Sequence, residues 1–424
     1  MIFFPFFVKR SFTLFYVRTP NQLGLEKYRV IKFNLIRLVH FAFYISRKYM
    51  PMKKDTHHEK PYDEATITKL DFYEEYLKAW ISVFLHVDYY RYLRILDFFS
   101  ESGCDSIGQK GSPLILVDEL SKPENEEKIR EKGYTVRILF NDINKSKIED
   151  LKKKIPSSFP YQIRYRSDKF LDIYDEYLTK VGNEPALIFI DQFGFSALNK
   201  EVIERLVTCP HADFIAFSAS NSLLRFGEDA ANKEYISSLG ITNDEIKSIK
   251  PYEIHQLFVS KIQEKWIPEN YFLGEFTILN KGNYYGLIFG SHSLIGLEKF
   301  VKAAWKKDSI SGKANFPIEA SKMQCELFPL NGNLEPVIHK TKIQELVEEL
   351  ESDIVSGYLN SDFMVWKKCL LRGVDPSKAL KTFYYDLKKK GIIAFNRDNQ
   401  PRYTSVVRKH PRKIVLVKCQ TNHT

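Results

Sequence analysis

The sequence predicts an α/β protein: a doubly wound, mostly parallel sheet closed by a β-hairpin, followed by a small basic helical domain. Three observations carry that expectation. The run Ala186 to Ile190 is apolar on both faces and ends on Asp191; strands of that kind lie inside parallel sheets covered by helices on each side. Strand-like and helix-like runs alternate from Tyr92 to Ser218, as in β-α units. Finally, Phe276–Leu279 and Tyr284–Gly290 flank Asn280-Lys281-Gly282-Asn283, a hairpin signature with a glycine turn.

Bulk properties set the outer limits. At 424 residues the chain holds two or three domains. Its five cysteines (Cys104, Cys209, Cys325, Cys369, Cys419) are scattered with no CxxC pair, which argues against a disulfide framework or a zinc site and for the reducing cytoplasm. The net charge is +10, but residues 1–51 carry +8 and residues 359–424 carry +11, leaving −9 between them. The basic character therefore sits at the two ends.

Residues 1–51 are rich in Phe, Tyr, Arg and Lys and follow no sustained helical or alternating period. Met1–Val8 and Leu38–Ser46 are apolar but far short of the roughly 20 residues of a membrane span, so no membrane partner is expected. Positive charge follows the first patch rather than preceding it, unlike a signal peptide. The segment reads either as a basic aromatic arm for a membrane surface or nucleic acid, or as a disordered, non-native extension read in frame ahead of Met50 and Met52.

From there the elements follow in order. Leu70, Tyr73, Leu77, Trp80, Ile81 and Phe84 recur at helical spacing and form an entry helix. Tyr92–Asp97 is the first strand. Its tip, Asp97-Phe98-Phe99-Ser100-Glu101-Ser102-Gly103, has the acid, small residues and glycine of a nucleotide-type turn. Ser112 reads as an N-cap with Pro113 in the first helical turn. Tyr134–Phe140 is the second strand, ending Asn141-Asp142; Asp142 suits either ribose hydroxyls or a plain surface turn. Helix 144–154, strand 161–165 and helix 170–180 follow. Asp168 suits an adenine contact or a helix cap. Asp191 stands beyond the central strand, where it either caps the next helix or faces the ligand crevice that such sheets form at strand carboxyl ends. Phe214–Ser218 is a further buried strand. After the hairpin, Leu297, Phe300, Val301 and Trp305 mark a helix.

Five β-α units closed by an antiparallel hairpin is the layout of the class I S-adenosylmethionine-dependent methyltransferases (Rossmann-like). Those acting on amino nitrogens carry an Asp/Asn-Pro-Pro-aromatic loop where this chain has Asp191-Gln192-Phe193-Gly194. The chain also resembles the three-Cys-motif partner (TcmP) family. The residues that carry the resemblance are Tyr76-Leu77-Lys78-Ala79-Trp80, Asp97-x-Phe99, Gly111-Ser112-Pro113-Leu114-Ile115, Phe189-Ile190-Asp191-x-Phe193-Gly194, and Ile288-Phe289-Gly290-Ser291-His292 with Gly296-Leu297-Glu298-Lys299-Phe300. It runs from about Thr66 to the C-terminus. The family is methyltransferase-like, associated with mobile elements, and encoded beside a separate three-cysteine protein, which the resemblance implies as a partner. Two positions depart from the family: its Asp-x-Phe-Ala-Gly-x-Gly turn has Ser100 and Glu101 here, and its Asp-Pro-Phe-Gly has Gln192.

After a linker at 311–340, residues 341–415 read as a winged-helix domain. Ile343, Leu346, Val347, Leu350 and Ile354 form one helix face. Ser361 starts a second helix ended by Gly373, and Asp375-Pro376 opens a third, 376–390, ended by Gly391. Ile392–Phe395 and Tyr403–Val407 would pair as the wing. Lys378, Lys381, Lys388, Lys389 and Lys390 on the third helix, with Arg397, Arg402, Arg408 and Lys409 in the wing, make a face suited to phosphates; many such domains contact only protein.

The sequence thus points to a methyltransferase domain at 62–310. Asp97, Phe99, Ser100, Gly103, Asp142 and Asp168 would hold S-adenosylmethionine, Asp191 and Phe193 would orient the acceptor, no metal is involved, and nucleic acid is the partner. The alternative is a non-catalytic module of the same fold that binds nucleic acid or the three-cysteine protein.

Overall fold

The computed structural model describes residues 60–87, 90–191, 198–218, 230–316 and 340–417, together with the backbone of three strands nearer the N-terminus. Residues 1–57 and 58–424 form two compact units. In the first unit β1 (Pro5–Lys9), β2 (Phe12–Pro20) and β3 (Glu26–Asn34) make an antiparallel meander. No regular element was expected there. The segment lacks a two-residue alternation, but its Phe, Tyr and Val content favours extended backbone.

The second unit opens with α1 (Glu64–Phe84), whose N-cap Asp63 accepts the Thr66 N–H at 2.9 Å. The β-α series is β4 (Tyr92–Asp97), α2 (Ser112–Leu120), α3 (Pro123–Lys132), β5 (Thr135–Asn141), α4 (Lys145–Lys154), β6 (Gln162–Arg166), α5 (Phe170–Val181), β7 (Ala186–Ile190), α6 (Lys200–Val207) and β8 (Ala212–Ser218). Three helices not anticipated from the sequence, α7 (Ala230–Ser238), α8 (Asn243–Ser248) and α9 (Ile254–Lys265), precede the hairpin β9 (Phe272–Asn280) and β10 (Asn283–Ser291), and α10 (Leu294–Lys307) follows it. Lys281 and Gly282 both have positive φ, +48° and +77°, as a two-residue hairpin turn of primed type requires.

The seven strands run in the order β6-β5-β4-β7-β8-β10-β9. β4 through β8 pair in parallel, and β10 is antiparallel to both its neighbours. This is the class I methyltransferase-like arrangement that the hairpin predicted. β7 is buried along its whole length. Leu187 and Phe189 face a core shared with α1, α2 and α10, whereas Ala186, Ile188 and Ile190 face one shared with α5, α6 and α9. That alternation is why a strand apolar on both faces was needed.

Three further helices follow: α11 (Lys342–Val355), α12 (Asp362–Leu371) and α13 (Pro376–Lys389). Their caps are those expected, with Ser361 and Asp375 accepting N–H groups of α12 and α13. The wing differs. β11 (Ile393–Ala394) pairs with β12 (Val415–Leu416), and Ser405–Arg408 is a 3-10 turn rather than a strand. Proline at 401 and 411 brackets the intervening segment, and the buried Asp362 carboxylate takes the Arg402 and Arg412 N–H groups at 3.0 and 2.7 Å. The segment is a strap held against the start of α12. Among the described residues no helix is long and apolar enough to cross a membrane.

Candidate functional site

β4 lies at the point where strand order reverses, with β5 on one side and β7 on the other. In open α/β sheets a crevice forms there beyond the carboxyl ends of the strands. Asp97 ends β4 with its side chain fully buried; its carboxylate accepts the Phe99 N–H at 3.1 Å and the Ser112 hydroxyl at 2.7 Å. Ser112 is thus no N-cap. Gly111 takes that position, and the freed hydroxyl joins the start of α2 to the strand tip. Burial pushes the Asp97 carboxyl up to about 7; the charges of Asp191 and Glu101 add to this, and the two hydrogen bonds oppose it.

The turn after Asp97 is closed tightly. The Ser100 N–H and hydroxyl both donate to the Asn141 carbonyl, at 2.8 and 3.1 Å. Gly103 has φ +84°, where any other residue would be strained, and a Cβ there would stand 2.7 Å from a Leu151 methyl and displace it. Glu101 also has positive φ, +53°. It occupies left-handed backbone that glycine adopts freely and that costs other residues roughly 1–2 kcal/mol. Its carboxylate stands 4.0 Å from the Lys147 ammonium. Burial, then the charge of Asp191, pushes Glu101 up to about 7, opposed by Lys147 and Lys69, with Asp142 adding to the rise.

At the β5 tip, Asp142 is buried and accepts the Asn144 N–H at 2.7 Å. Asn141, beside it, was passed over in the sequence. Its amide donates to the carbonyls of Phe98 and Asp168 and accepts the Asp168 N–H, bracing the tips of β4, β5 and β6. Asp168 itself is held by Arg166 Nε at 2.6 Å. It does not cap α5, whose N-cap is Lys169 with no side-chain bond. The Phe99 ring, half-buried, packs 5.4 Å from that of Phe170.

Asp191 lies just past β7. Oδ2 accepts a hydrogen bond from the buried Lys69 ammonium of α1, while Oδ1 is buried with no hydrogen-bond partner among the described residues. Asp191 does not cap the next helix; Asn199 does, accepting the Val202 N–H at 2.9 Å. Phe193, expected beside Asp191, lies outside the described residues. Two contributors besides Asn141 were missed in the sequence. Lys69 stands one residue before Leu70 in the apolar stripe, and its position on the α1 face was the available signal. Tyr62 precedes α1, its N–H donating to Asp105 at 2.7 Å. Burial, then Glu101 and Asp105, raises its phenol well above the ordinary range.

The carboxyl ends of β4, β5 and β7 therefore bring Asp97, Glu101, Asp142 and Asp191 within electrostatic reach of one another and of Lys69 and Lys147. On a separate face, Lys378, Lys381, Lys388, Lys389, Lys390 and Arg397 are exposed, whereas Arg402 is half-buried. Lys388 donates to the Phe395 carbonyl at 2.8 Å and Lys390 pairs with Glu351 at 2.6 Å. Lys378, Lys381 and the half-exposed Tyr385 share one solvent face of α13.

No family model and no curated protein matches the sequence. Among solved structures, the chain is similar to the O-methyltransferase TomG from Streptomyces achromogenes in complex with S-adenosylmethionine (12% identity, 59% of this chain and 95% of that one, TM-score 0.31). It is also similar to an O-methyltransferase from Bacillus cereus in complex with S-adenosylhomocysteine (12%, 59% and 96%, TM-score 0.30). A third is an S-adenosylmethionine-dependent methyltransferase from Agrobacterium tumefaciens (12%, 52% and 61%, TM-score 0.29). Such distant likenesses carry no argument about chemistry, and the fold rests on the strand order of this chain.

Proposed function

We propose that this chain is an S-adenosylmethionine-dependent methyltransferase of the three-Cys-motif partner kind, acting on nucleic acid. The observation that supports it is the convergence of Asp97, Gly103, Asp142 and Asp191 on one edge of a class I sheet, at its switch point. The cofactor is a sulfonium cation, and the acidic groups Asp142 and Asp191 at the strand tips are of the kind that suits it. In this reading Asp142 serves the ribose hydroxyls, and the left-handed backbone at Gly103 closes the turn beside them. Asp168 would meet the adenine only through the carboxylate oxygen that Arg166 leaves, since Asn141 takes both its N–H and its carbonyl.

When bound, S-adenosylmethionine supplies an electrophilic methyl group. The chain's own residues supply position. The tight turn 97–103 fixes the methionine end, and Asp191 presents Oδ1 to the acceptor. Holding the acceptor in line lowers the entropic part of the barrier. The exposed lysines of α13 and Arg397 would hold the phosphate backbone by counterion release. The three helices with the small β11–β12 pair act in this reading as a winged helix, and the partnership with a three-cysteine protein belongs to the same proposal.

A second reading is favoured by one observation. Glu101 replaces a glycine of the first turn, and its carboxylate reaches into the field of Asp142, Asp191 and Lys69. In a non-catalytic module that carboxylate would close the crevice. Incubating the full chain with methyl-tritiated S-adenosylmethionine and either duplex DNA or total RNA separates the two. Label on nucleic acid supports the enzyme; salt-dependent binding of the nucleic acid without label supports the module.

A further inference from the structure

β9 is the last strand of the sheet, with β10 on one side only. Along an antiparallel strand, alternate residues turn their N–H and carbonyl to the same side. Thr277 and Leu279 turn theirs away from β10. The Thr277 N–H donates to the Lys313 carbonyl at 2.7 Å, its carbonyl accepts the Asn315 N–H at 3.1 Å, and the Leu279 N–H donates to the Asn315 side chain at 2.7 Å. The same alternation turns Leu273 and Glu275 to the open edge. The Leu273 N–H reaches the Gln263 side chain of α9 at 3.4 Å. The Glu275 N–H and carbonyl make no hydrogen bond among the described residues. The cover stops short of Glu275 for a local reason. Residues 313–315 run parallel to β9 through Ala314, but Gly312 takes φ +62° and its N–H turns to the Asp308 carbonyl at 3.0 Å.

This opening gives onto a cavity of about 670 Å³, walled in part by Leu273, Leu297, Phe300, Leu346 and Leu370, a size that suits a ligand. Glu275 lines it, half-buried, and its carboxylate makes no hydrogen bond or ion pair among the described residues. Burial pushes that carboxyl up, and the charges of Lys342 and Lys313 oppose the rise. Neither lysine bonds to it; Lys342 donates to the carbonyls of Ser311 and Gly373 at 3.1 and 2.8 Å. Other cations of the cavity are engaged as well. Arg372 pairs with Glu349 at 2.7 Å, and the Lys367 ammonium lies 5.8 Å from the centre of the Phe272 ring. Glu269 and Glu345, by contrast, are exposed beside the cavity and form no ion pair among the described residues.

We propose that this opening takes a short extended segment of a partner protein, which adds to the β9 edge at Glu275 and sets a lysine or arginine opposite it. Bare strand edges bind extended peptides through the main chain, and pockets for side chains give the choice. An antiparallel pair closes both of its hydrogen bonds between two opposite residues, which is what a gap one residue long admits. The side chain directly opposite stands on the same face as that of Glu275, so the carboxylate selects a cation. The apolar walls take its aliphatic stem. Gln263 and Lys313 end the pairing on either side. The inference stands apart from methyl transfer.

The test follows the full chain by amide-resolved NMR during titration with acetyl-Val-Arg-Val-amide or acetyl-Val-Gln-Val-amide. Wild type should bind the arginine peptide at millimolar concentration, roughly fivefold more tightly than the glutamine one, and the Glu275 amide signal should move. Glu275→Gln should bind the two alike. Methylating the arginine's backbone nitrogen in the probe removes its N–H and should abolish binding to wild type, a result that needs no variant to fold. Equal affinity of wild type for the two peptides overturns the charge match. Arginine amide binding as tightly as the arginine peptide would make the cavity a small-cation site and overturn the added strand. No binding at millimolar peptide, or binding that leaves the Glu275 signal in place, overturns the proposal altogether.

Discussion

Lys69 of α1 and Asp191 beyond β7, 122 positions apart in sequence, form a buried ion pair over the carboxyl ends of the central strands. Removing one member of such a pair strands the other charge, at a cost of about 3 kcal/mol. Lys69→Met should therefore lower the free energy of unfolding by about that much in urea melts. Lys69→Met/Asp191→Leu should recover most of the loss. Additive losses in the double variant would mean that the two groups are not coupled.

Glu101 sits in left-handed backbone at φ +53°. Glu101→Gly should relieve roughly 1 kcal/mol of strain and remove a carboxylate from the first turn. The variant should melt at a higher temperature and bind S-adenosylmethionine more tightly than wild type. Weaker binding would assign Glu101 a direct part in holding the cofactor.

Asp97 makes stability depend on pH. Its carboxyl titrates at about 7 in the fold, against roughly 4 in an unfolded chain. Between those values the native state keeps a proton that the unfolded chain has lost. Its contribution is therefore fully present below pH ~4 and declines as pH rises toward ~7. Asparagine can accept the Phe99 N–H and donate to the Ser112 hydroxyl without charge. Asp97→Asn should match wild type near pH 4 and exceed it at pH 8 by up to about 4 kcal/mol. Equal denaturant midpoints at both pH values would rule this out.

Much of this was legible in the sequence. β7 could be read because burial on both faces forces an unbroken apolar run, and the hairpin because Lys281-Gly282 must turn with positive φ. The acids at strand tips followed from the sheet type. The burial of Lys69 was harder to read: its place on the α1 face was a signal, but a lysine beside an apolar stripe ordinarily lies in solvent, and its partner is 122 positions away. Ser112 misled for a related reason. Its N-cap signature is local, whereas the Asp97 carboxylate that claims its hydroxyl arrives through tertiary packing. The second wing strand failed because Asp362, a residue of α12, dictates the path of the chain near Arg402 and Arg412.

That strap gives a further prediction. Asp362→Ala leaves two backbone N–H groups without their acceptor, at about 2 kcal/mol in all. Hydrogen exchange at Arg402 and Arg412 should accelerate while the amides of β7 stay protected. Unchanged exchange would show that the strap is held by other contacts.

On the proposed nucleic-acid face, Lys388 and Lys390 already serve the fold, so their reversal would confuse binding with stability. Lys378→Glu/Lys381→Glu/Lys389→Glu is the cleaner variant. It should fold as wild type does, weaken duplex binding across sequences, and flatten the slope of log affinity against log salt by roughly three. An unaltered salt slope would move this domain to a protein-contact role.

The most direct measurement is calorimetric titration of the full chain with S-adenosylmethionine, in wild type and in Asp142→Ala. The account predicts saturable binding to wild type at micromolar to submillimolar concentration, weakened about tenfold when the ribose-facing carboxylate is removed. No binding at millimolar S-adenosylmethionine, or equal binding by the two proteins, would contradict it.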